Sequence, residues 1–212
     1  MSEIKPLLNP QEAIQLSKLL SYILRHGAVK EKLQISTDGY IAVNDLLGHS
    51  KFKKVTFEQI RYVVDTNDKK RYELSELPPT SNNWFIRASQ GHSIKSIDSN
   101  ELLEEITDKI DTCVIHGTNL QAWQHIKEKG LSKMNRNHIH FAVGLPGDPN
   151  VKSGIRKTSE IFIYIDTEKA RQDGIIFYRS KNHVILSNGI EGIIAPKYFK
   201  KVIDKEGKQI NL

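Results

Sequence analysis

Cysteine is nearly absent: Cys113 is the one thiol among 212 residues. An intrachain disulfide is excluded, and so is a zinc site built from a cysteine cluster. A single thiol suits a reducing compartment, so the cytoplasm is the expectation, with access to the nucleus left open. Cys113 stands in Cys113-Val114-Ile115, which reads as a buried strand and predicts an inert thiol rather than a nucleophile. Long apolar runs are missing too. None approaches the ~18 residues that a membrane span needs, and residues 1–15 hold no apolar core of a secretory leader. Few apolar residues look stranded on a surface, so a monomer is expected.

The chain does carry a moderate basic excess, with 31 Lys and Arg against 25 Asp and Glu, a formal charge of +6. Such an excess suits a polyanionic partner without requiring one. Residues 51–71 hold seven basic and three acidic side chains. That stretch reads either as a solvated helix face or as a nucleic-acid contact. With 38% apolar and 26% charged residues, the composition suits one large globular domain or two small ones.

Leu16, Leu19, Leu20, Ile23 and Leu24 form one helical stripe, which Gly27 is expected to end as a left-handed C′ residue. Arg25 and His26 then occupy the last turn, where the helix dipole favours positive charge. Asp38-Gly39 marks a turn between short β-like runs at 33–35 and 40–43. Asn44 can cap a short helix to Leu47, and Thr56-Phe57-Glu58-Gln59 is a capping box opening another. Strands at 71–74 and 84–88 flank a Pro- and Asn-rich loop. Three helices and a terminal hairpin outline a winged helix, a fold that does not by itself set function. Residues 96–100 are polar and read as a linker, which divides the chain into 1–95 and 96–212. Beyond it, strands are predicted at 114–115, 138–143, 160–165, 175–178 and 184–186, with a helix opened by a capping box at Thr118 and stopped by Gly130. The fold class is α+β.

Three constellations carry chemical options. His116-Gly117-Thr118 lies at a strand-to-helix junction, where a glycine admits close approach and helix N–H groups can meet an anion; an ordinary capped turn has the same pattern. His138 and His140 share one strand face, but no further ligand set accompanies them, so no metal is expected and an orienting role for His140 is preferred. Arg156 follows a Gly- and Pro-rich loop and suits phosphate recognition, although a loop arginine can equally be solvated.

Seven runs in order resemble the RNA 2′-phosphotransferase (KptA-type) family: residues 16–26, 67–72, 86–93, 116–118, 136–141, 153–156 and 179–182. The resemblance implies a winged-helix RNA-binding first lobe and a second lobe with the ADP-ribosyltransferase fold. It implies NAD⁺-dependent removal of an internal RNA 2′-phosphate, as at a tRNA splice junction. The phosphate attacks C1″ of NAD⁺ and expels nicotinamide; O2″ then attacks phosphorus in the ADP-ribosylated RNA, releasing ADP-ribose 1″,2″-cyclic phosphate. The family tetrad falls on Arg25, His26, Arg71 and Arg156, and the NAD⁺ pocket on His116, Gly117, Thr118, His140 and Ser153. Lys69, Arg87, Gln90 and His92 fall toward RNA. The alternative is an ADP-ribosyltransferase acting on terminal phosphates of nucleic acid. His183 stands where the family often has glycine, and Val184-Ile185-Leu186 lacks the carboxylate that related toxins carry on a late strand.

Overall fold

Asn9 and Pro10 start the first helix. The Asn9 carboxamide accepts the Glu12 N–H and the Glu12 carboxylate accepts the Asn9 N–H, each at 2.9 Å, a reciprocal cap that satisfies two helix-end donors. The computed structural model describes residues 7–211; the leader segment considered above lies partly outside them, at residues 1–6. Helix α1 spans Pro10–Tyr22 and buries Leu16 and Leu20. It does not end at a left-handed Gly27. The ladder widens into a π-helical turn, Ile23–Gly27, closed by the Ala28 N–H on the Ile23 carbonyl at 3.0 Å, and Ala28 stays right-handed at φ −49°. Glycine is used at 27 for space: a Cβ there would lie 2.8 Å from the Tyr22 ring.

No strand forms at 33–35. Gly39 turns the chain at φ +85° into β1, Ile41–Ala42. Helix α2 spans Val43–Gly48 and starts from Ala42 rather than Asn44. Helix α3, Phe57–Asp65, has the capping box between Thr56 and Gln59. Strands β2, Tyr72–Glu76, and β3, Trp84–Ala88, pair antiparallel, and β1 joins the other edge of β3. The short helix α4, Ser99–Leu102, follows. Residues 96–100 are not a linker: Ile97 is buried and the Asp98 N–H donates to the Thr37 carbonyl at 2.8 Å. The chain divides into two compact units between Leu102 and Leu103.

The second unit is built from antiparallel strands. Its elements are β4 (Glu104–Glu105), β5 (Ile115–Thr118), α5 (Leu120–Lys129), β6 (Leu131–Ser132), β7 (Ile139–Phe141) and β8 (Ile161–Ile165). There follow α6 (Thr167–Gln172), β9 (Phe177–Arg179), β10 (Ile185–Ser187), β11 (Ile193–Ile194), β12 (Phe199–Asp204) and β13 (Gln209–Ile210). Two four-stranded sheets run β4-β9-β10-β7 and β13-β12-β8-β5, with β6 paired to β11. Strand β12 escaped the sequence reading because Phe-Lys-Lys-Val-Ile-Asp breaks the alternation, and a register shift lies between Phe199 and Lys201.

Period-two alternation sorts β8. Ile161, Ile163 and Ile165 enter the main core with Phe141, Phe177 and Ile185, while Phe162 faces a smaller cluster of Ile115, Ala142 and Ile155. Ile115 and Ala142 exchange both backbone hydrogen bonds at 2.9 Å and so stitch β5 to the end of β7. Cys113 precedes β5 and is exposed, so the expected buried thiol is corrected: the strand starts two residues later and Val114 takes the interior position. At the β9–β10 turn His183 is left-handed, φ +62°, and its N–H donates to the Ser180 carbonyl at 2.9 Å. A residue with a Cβ costs about 1–2 kcal/mol there that glycine would not.

His138 is buried, packed edge-on against Tyr178 at 5.8 Å. Burial, then the nearby Lys133 charge, holds its imidazole down to about 4. The unfolded chain binds this proton near pH 6.5 and the folded one only near 4, so stability is present above 6.5 and lost as pH falls toward 4. The loss from this group amounts to about 3 kcal/mol at about 1.4 kcal/mol per unit. Urea unfolding at pH 7 and pH 4.5 should show His138→Gln losing less stability than the unsubstituted chain; equal losses would remove His138 from the acid response.

Candidate active site

A cavity of about 360 Å³ opens where β5 meets β7 and is bounded by the loop of residues 153–159. His116, Gly117, Thr118 and His140 line it together with Arg156, Arg136, Asn119 and Ser159, and no Asp or Glu does. Ser153 is outside the lining, one residue before Gly154, which is in it. The His116 Nδ1–H donates to the His140 carbonyl at 2.9 Å. A carbonyl only accepts, so Nδ1 carries the proton and Nε2 is left with a lone pair. Burial first, with the Arg136 and Arg156 charges behind it, pulls His116 below the usual imidazole range against the opposing pull of that hydrogen bond. The ring is therefore a neutral acceptor near neutral pH.

Glycine at 117 has a different reason from the one expected. A Cβ there would lie 2.5 Å from Ile155 Cγ1 and 2.6 Å from Ser159 Oγ, so the protein's own loop fills the space reserved for a ligand. On the other side Gly154 is left-handed, φ +93°, and its Cβ would lie 2.7 Å from the Phe141 carbonyl oxygen. Two glycines thus pin the loop, Ile155 anchors it in the small apolar cluster, and Arg156 follows directly. The cap of α5 is Asn119 rather than Thr118, which is still in β5; Asn119 Oδ1 accepts the Ala122 N–H at 2.7 Å. Glu160 accepts the Leu120 N–H at 3.1 Å.

In the first unit Arg25, His26 and Arg71 gather along one segment, residues 89–93. The Ser89 N–H donates to the Arg71 carbonyl at 2.9 Å. Gly91, at φ +92°, packs its backbone under Arg25, whose Cδ, Nε and Cζ would be 3.6 Å from a Cβ there. Ser93 donates its N–H to the Arg25 carbonyl at 2.9 Å and shares a 2.9 Å hydrogen bond with His26 Nδ1. Arg71 is tied to the same helix through its neighbour: the Tyr72 hydroxyl meets Ser17 Oγ at 2.9 Å and Ser21 Oγ at 2.7 Å. Ser17, Ser21 and Arg25 recur every four residues, the spacing of one helix face.

The four residues expected toward RNA differ among themselves. Arg87 is buried; Nε and Nη2 both reach Glu73 Oε2 at 2.9 Å, Nη1 donates to the Asp38 carbonyl at 3.0 Å, and its guanidinium stacks 4.4 Å over Tyr40. Gln90 and His92 are buried as well, and Lys69 is half-buried. Arg136 and Ser93 fall inside the runs 136–141 and 86–93, but sequence reasoning gave neither a role, and the Ser93–His26 bond joins residues 67 positions apart. Among the described residues no group of three His, Cys, Asp or Glu could hold a metal, and no helix is long and apolar enough to cross a membrane.

The sequence profile of the RNA 2′-phosphotransferase, Tpt1/KptA family matches residues 11–189. The chain is 44% identical over 197 residues to a putative tRNA 2′-phosphotransferase of Schizosaccharomyces pombe, covering 93% of this chain and 53% of that protein, so it spans about half of that relative. It is 44% identical over 191 residues to tRNA 2′-phosphotransferase 1 of Danio rerio, covering 89% and 84% respectively. It is 44% identical over 184 residues to tRNA 2′-phosphotransferase of Saccharomyces cerevisiae, covering 84% and 79%.

Gly154→Ala should lower stability by about 1–3 kcal/mol, since it meets both a left-handed φ and a backbone oxygen. An unchanged thermal midpoint would mean that the loop is not pinned. Ser93→Ala should cost about 1 kcal/mol or less in stability yet reduce turnover about tenfold by releasing His26. Turnover retained in full would show that Ser93 does not orient the ring.

Proposed function

Because the chain belongs to the RNA 2′-phosphotransferase, Tpt1/KptA family, we propose that it removes an internal 2′-phosphate from RNA, as at a tRNA splice junction, and uses NAD⁺ as the acceptor. The observation that carries this is the acid-free cavity of the second unit, with two arginines and a neutral His116. We read the first unit as a winged helix, with α1–α3 beside the β2–β3 hairpin, and the second as an ADP-ribosyltransferase-like lobe.

A phosphate nucleophile is ionised already, so the site needs no general base for the first step; it needs orientation and charge screening. By the family tetrad, Arg25, Arg71 and Arg156 are assigned to the phosphate oxygens, where a guanidinium fork makes paired hydrogen bonds. NAD⁺ supplies the electrophilic ribose carbon C1″ and nicotinamide as leaving group. His116 Nε2 and Thr118, with His140, are assigned to the ribose side of that co-substrate. In the second step the O2″ hydroxyl would attack phosphorus, its proton passing to solvent, and the RNA 2′-oxygen would depart; His26, fixed through Nδ1 by Ser93, would donate the proton this oxygen needs. No metal is assigned a role, since the arginines supply the positive charge.

The same chemistry on terminal phosphates of nucleic acid is the second reading, favoured by the lack of a carboxylate in the lining. Hydroxyl or guanidine acceptors on protein need a base to activate them, and phosphates do not.

A short RNA with one internal 2′-phosphate should lose it only when NAD⁺ is present, releasing nicotinamide and ADP-ribose cyclic phosphate. Loss without NAD⁺, or no loss with it, would reject this reaction; transfer to a 5′-terminal phosphate alone would select the second reading. Arg71→Ala should slow the second step more than the first, so ADP-ribosylated RNA should accumulate in a single turnover. Direct conversion to product at an unchanged rate would remove Arg71 from that step.

A further inference from the structure

Strand β2 is an edge of the three-stranded sheet, paired to β3, and Arg71 stands one residue before it. The turn that delivers Arg71 is strained. Lys70 is left-handed at φ +43°, a conformation that a residue with a Cβ disfavours and that persists only where its surroundings hold it. Asn67 closes the turn twice: its carbonyl accepts the Lys70 N–H at 2.9 Å and its Oδ1 accepts the Arg71 N–H at 3.1 Å. Ser89 grips the turn from the sheet side. Its hydroxyl donates to the Lys70 carbonyl at 3.0 Å and its N–H to the Arg71 carbonyl at 2.9 Å. These bonds fix the shape of the turn. They do not by themselves fix its distance from α1, whose π-helical continuation carries Arg25 and His26.

Two ties cross that distance. One is the segment 89–93 described above; the other is the side chain of Tyr72. Tyr72 is buried, and its hydroxyl meets the Ser17 carbonyl at 2.5 Å, Ser17 Oγ at 2.9 Å and Ser21 Oγ at 2.7 Å. A carbonyl only accepts, so the phenol proton goes to Ser17, and both serine hydroxyls donate to the phenol oxygen. The node is full, with one hydrogen bond donated and two accepted. Hydrogen bonds are directional where apolar contact is not, so this node holds the start of β2 in one register against α1.

We propose that the Tyr72 hydroxyl is a positioning group for phosphate transfer: it sets the distance of Arg71 from Arg25 and His26, and its effect is felt where Arg71 acts, in the second step. This rests on the phosphotransferase reading above and adds to it a buried residue outside the tetrad. Tyr72 works through Arg71 and takes no part in the bond changes. Tyr72→Phe keeps the ring, and each serine hydroxyl can turn to the carbonyl four residues before it in the helix, so the fold survives the change.

Single turnovers on an RNA with one internal 2′-phosphate, at saturating NAD⁺, give the rates of both steps for Tyr72→Phe, Arg71→Ala and the two combined. Tyr72→Phe should slow the conversion of ADP-ribosylated RNA about five- to twentyfold and its formation less than about twofold, the signature of a misplaced group. In the Arg71→Ala background the same substitution should slow neither step further, because groups that act as a unit are not additive. The thermal midpoint should fall by a few degrees in both backgrounds. A merely structural hydroxyl would lower the midpoint and leave both rates, measured well below it, unchanged. The Ser17→Ala, Ser21→Ala double variant should give the same pattern and replaces Tyr72→Phe if that chain is unstable. An unchanged second step would overturn the assignment, and so would an equal loss with and without Arg71. If the unsubstituted chain removes no 2′-phosphate with NAD⁺, the phosphotransferase reading falls and this assignment with it; if it does so and Tyr72→Phe matches it in both steps, Tyr72 alone is struck.

Discussion

Two backbone hydrogen bonds between Ile115 and Ala142 organise the second unit. They hold the ends of two separate sheets in register, and everything around the cavity is built outward from that stitch. One residue after Ile115 stands His116, and two before Ala142 stands His140, whose carbonyl receives the His116 proton. The tautomer of a ring in the cavity is thus set by main-chain geometry, which changes little with side-chain fluctuation. The same stitch lies in the small cluster that receives Ile155, so the loop carrying Arg156 is anchored to it as well. Gly117 and Gly154 remove the two Cβ atoms that would keep this loop away.

The first unit uses a different device. A helix with an extra residue in its last turn spaces Arg25 and His26 differently from an α-helical continuation, and π turns of this kind recur at functional sites. The widened turn is framed by residues 89–93, which hydrogen-bond the backbone or side chain of Arg25, His26 and Arg71 in turn. Tyr72 fastens the strand beyond Arg71 to Ser17 and Ser21 on the helix. Polar contacts of long sequence separation thereby hold the backbone of Arg25 and Arg71 and the ring of His26. Arg87 is the contrast. It is saturated by Glu73, Asp38 and Tyr40, and removing one partner of such a buried pair leaves an uncompensated charge.

Much of the local structure was legible before the fold was known. The Thr56–Gln59 box, the turn at Gly39, the stop at Gly130 and five strands of the second unit depend on residues within a few positions of one another. Errors occurred where two local solutions compete. Gly27 can end a helix or make room for Tyr22, and Thr118 or Asn119 can cap α5; packing selected the second in each pair. The π turn is invisible to periodicity because one extra residue looks the same as a helix running one residue longer.

The candidate site divides along the same line. Residue type and motif order determined which side chains were candidates, since only certain groups bind phosphate, hold a proton near neutral pH or cap a helix. They also determined the glycines and the polar runs between elements. Tertiary structure alone decided what those residues touch. His116 and His140 are 24 positions apart, His26 and Ser93 are 67 apart, and neither bond leaves a trace in local spacing. Nor does the exposure of Cys113, the burial of Arg87 or the company Arg136 keeps. Local interactions are written in sequence because they act over a few residues of chain; a cavity's charge is a sum over residues that meet only after the sheets have paired.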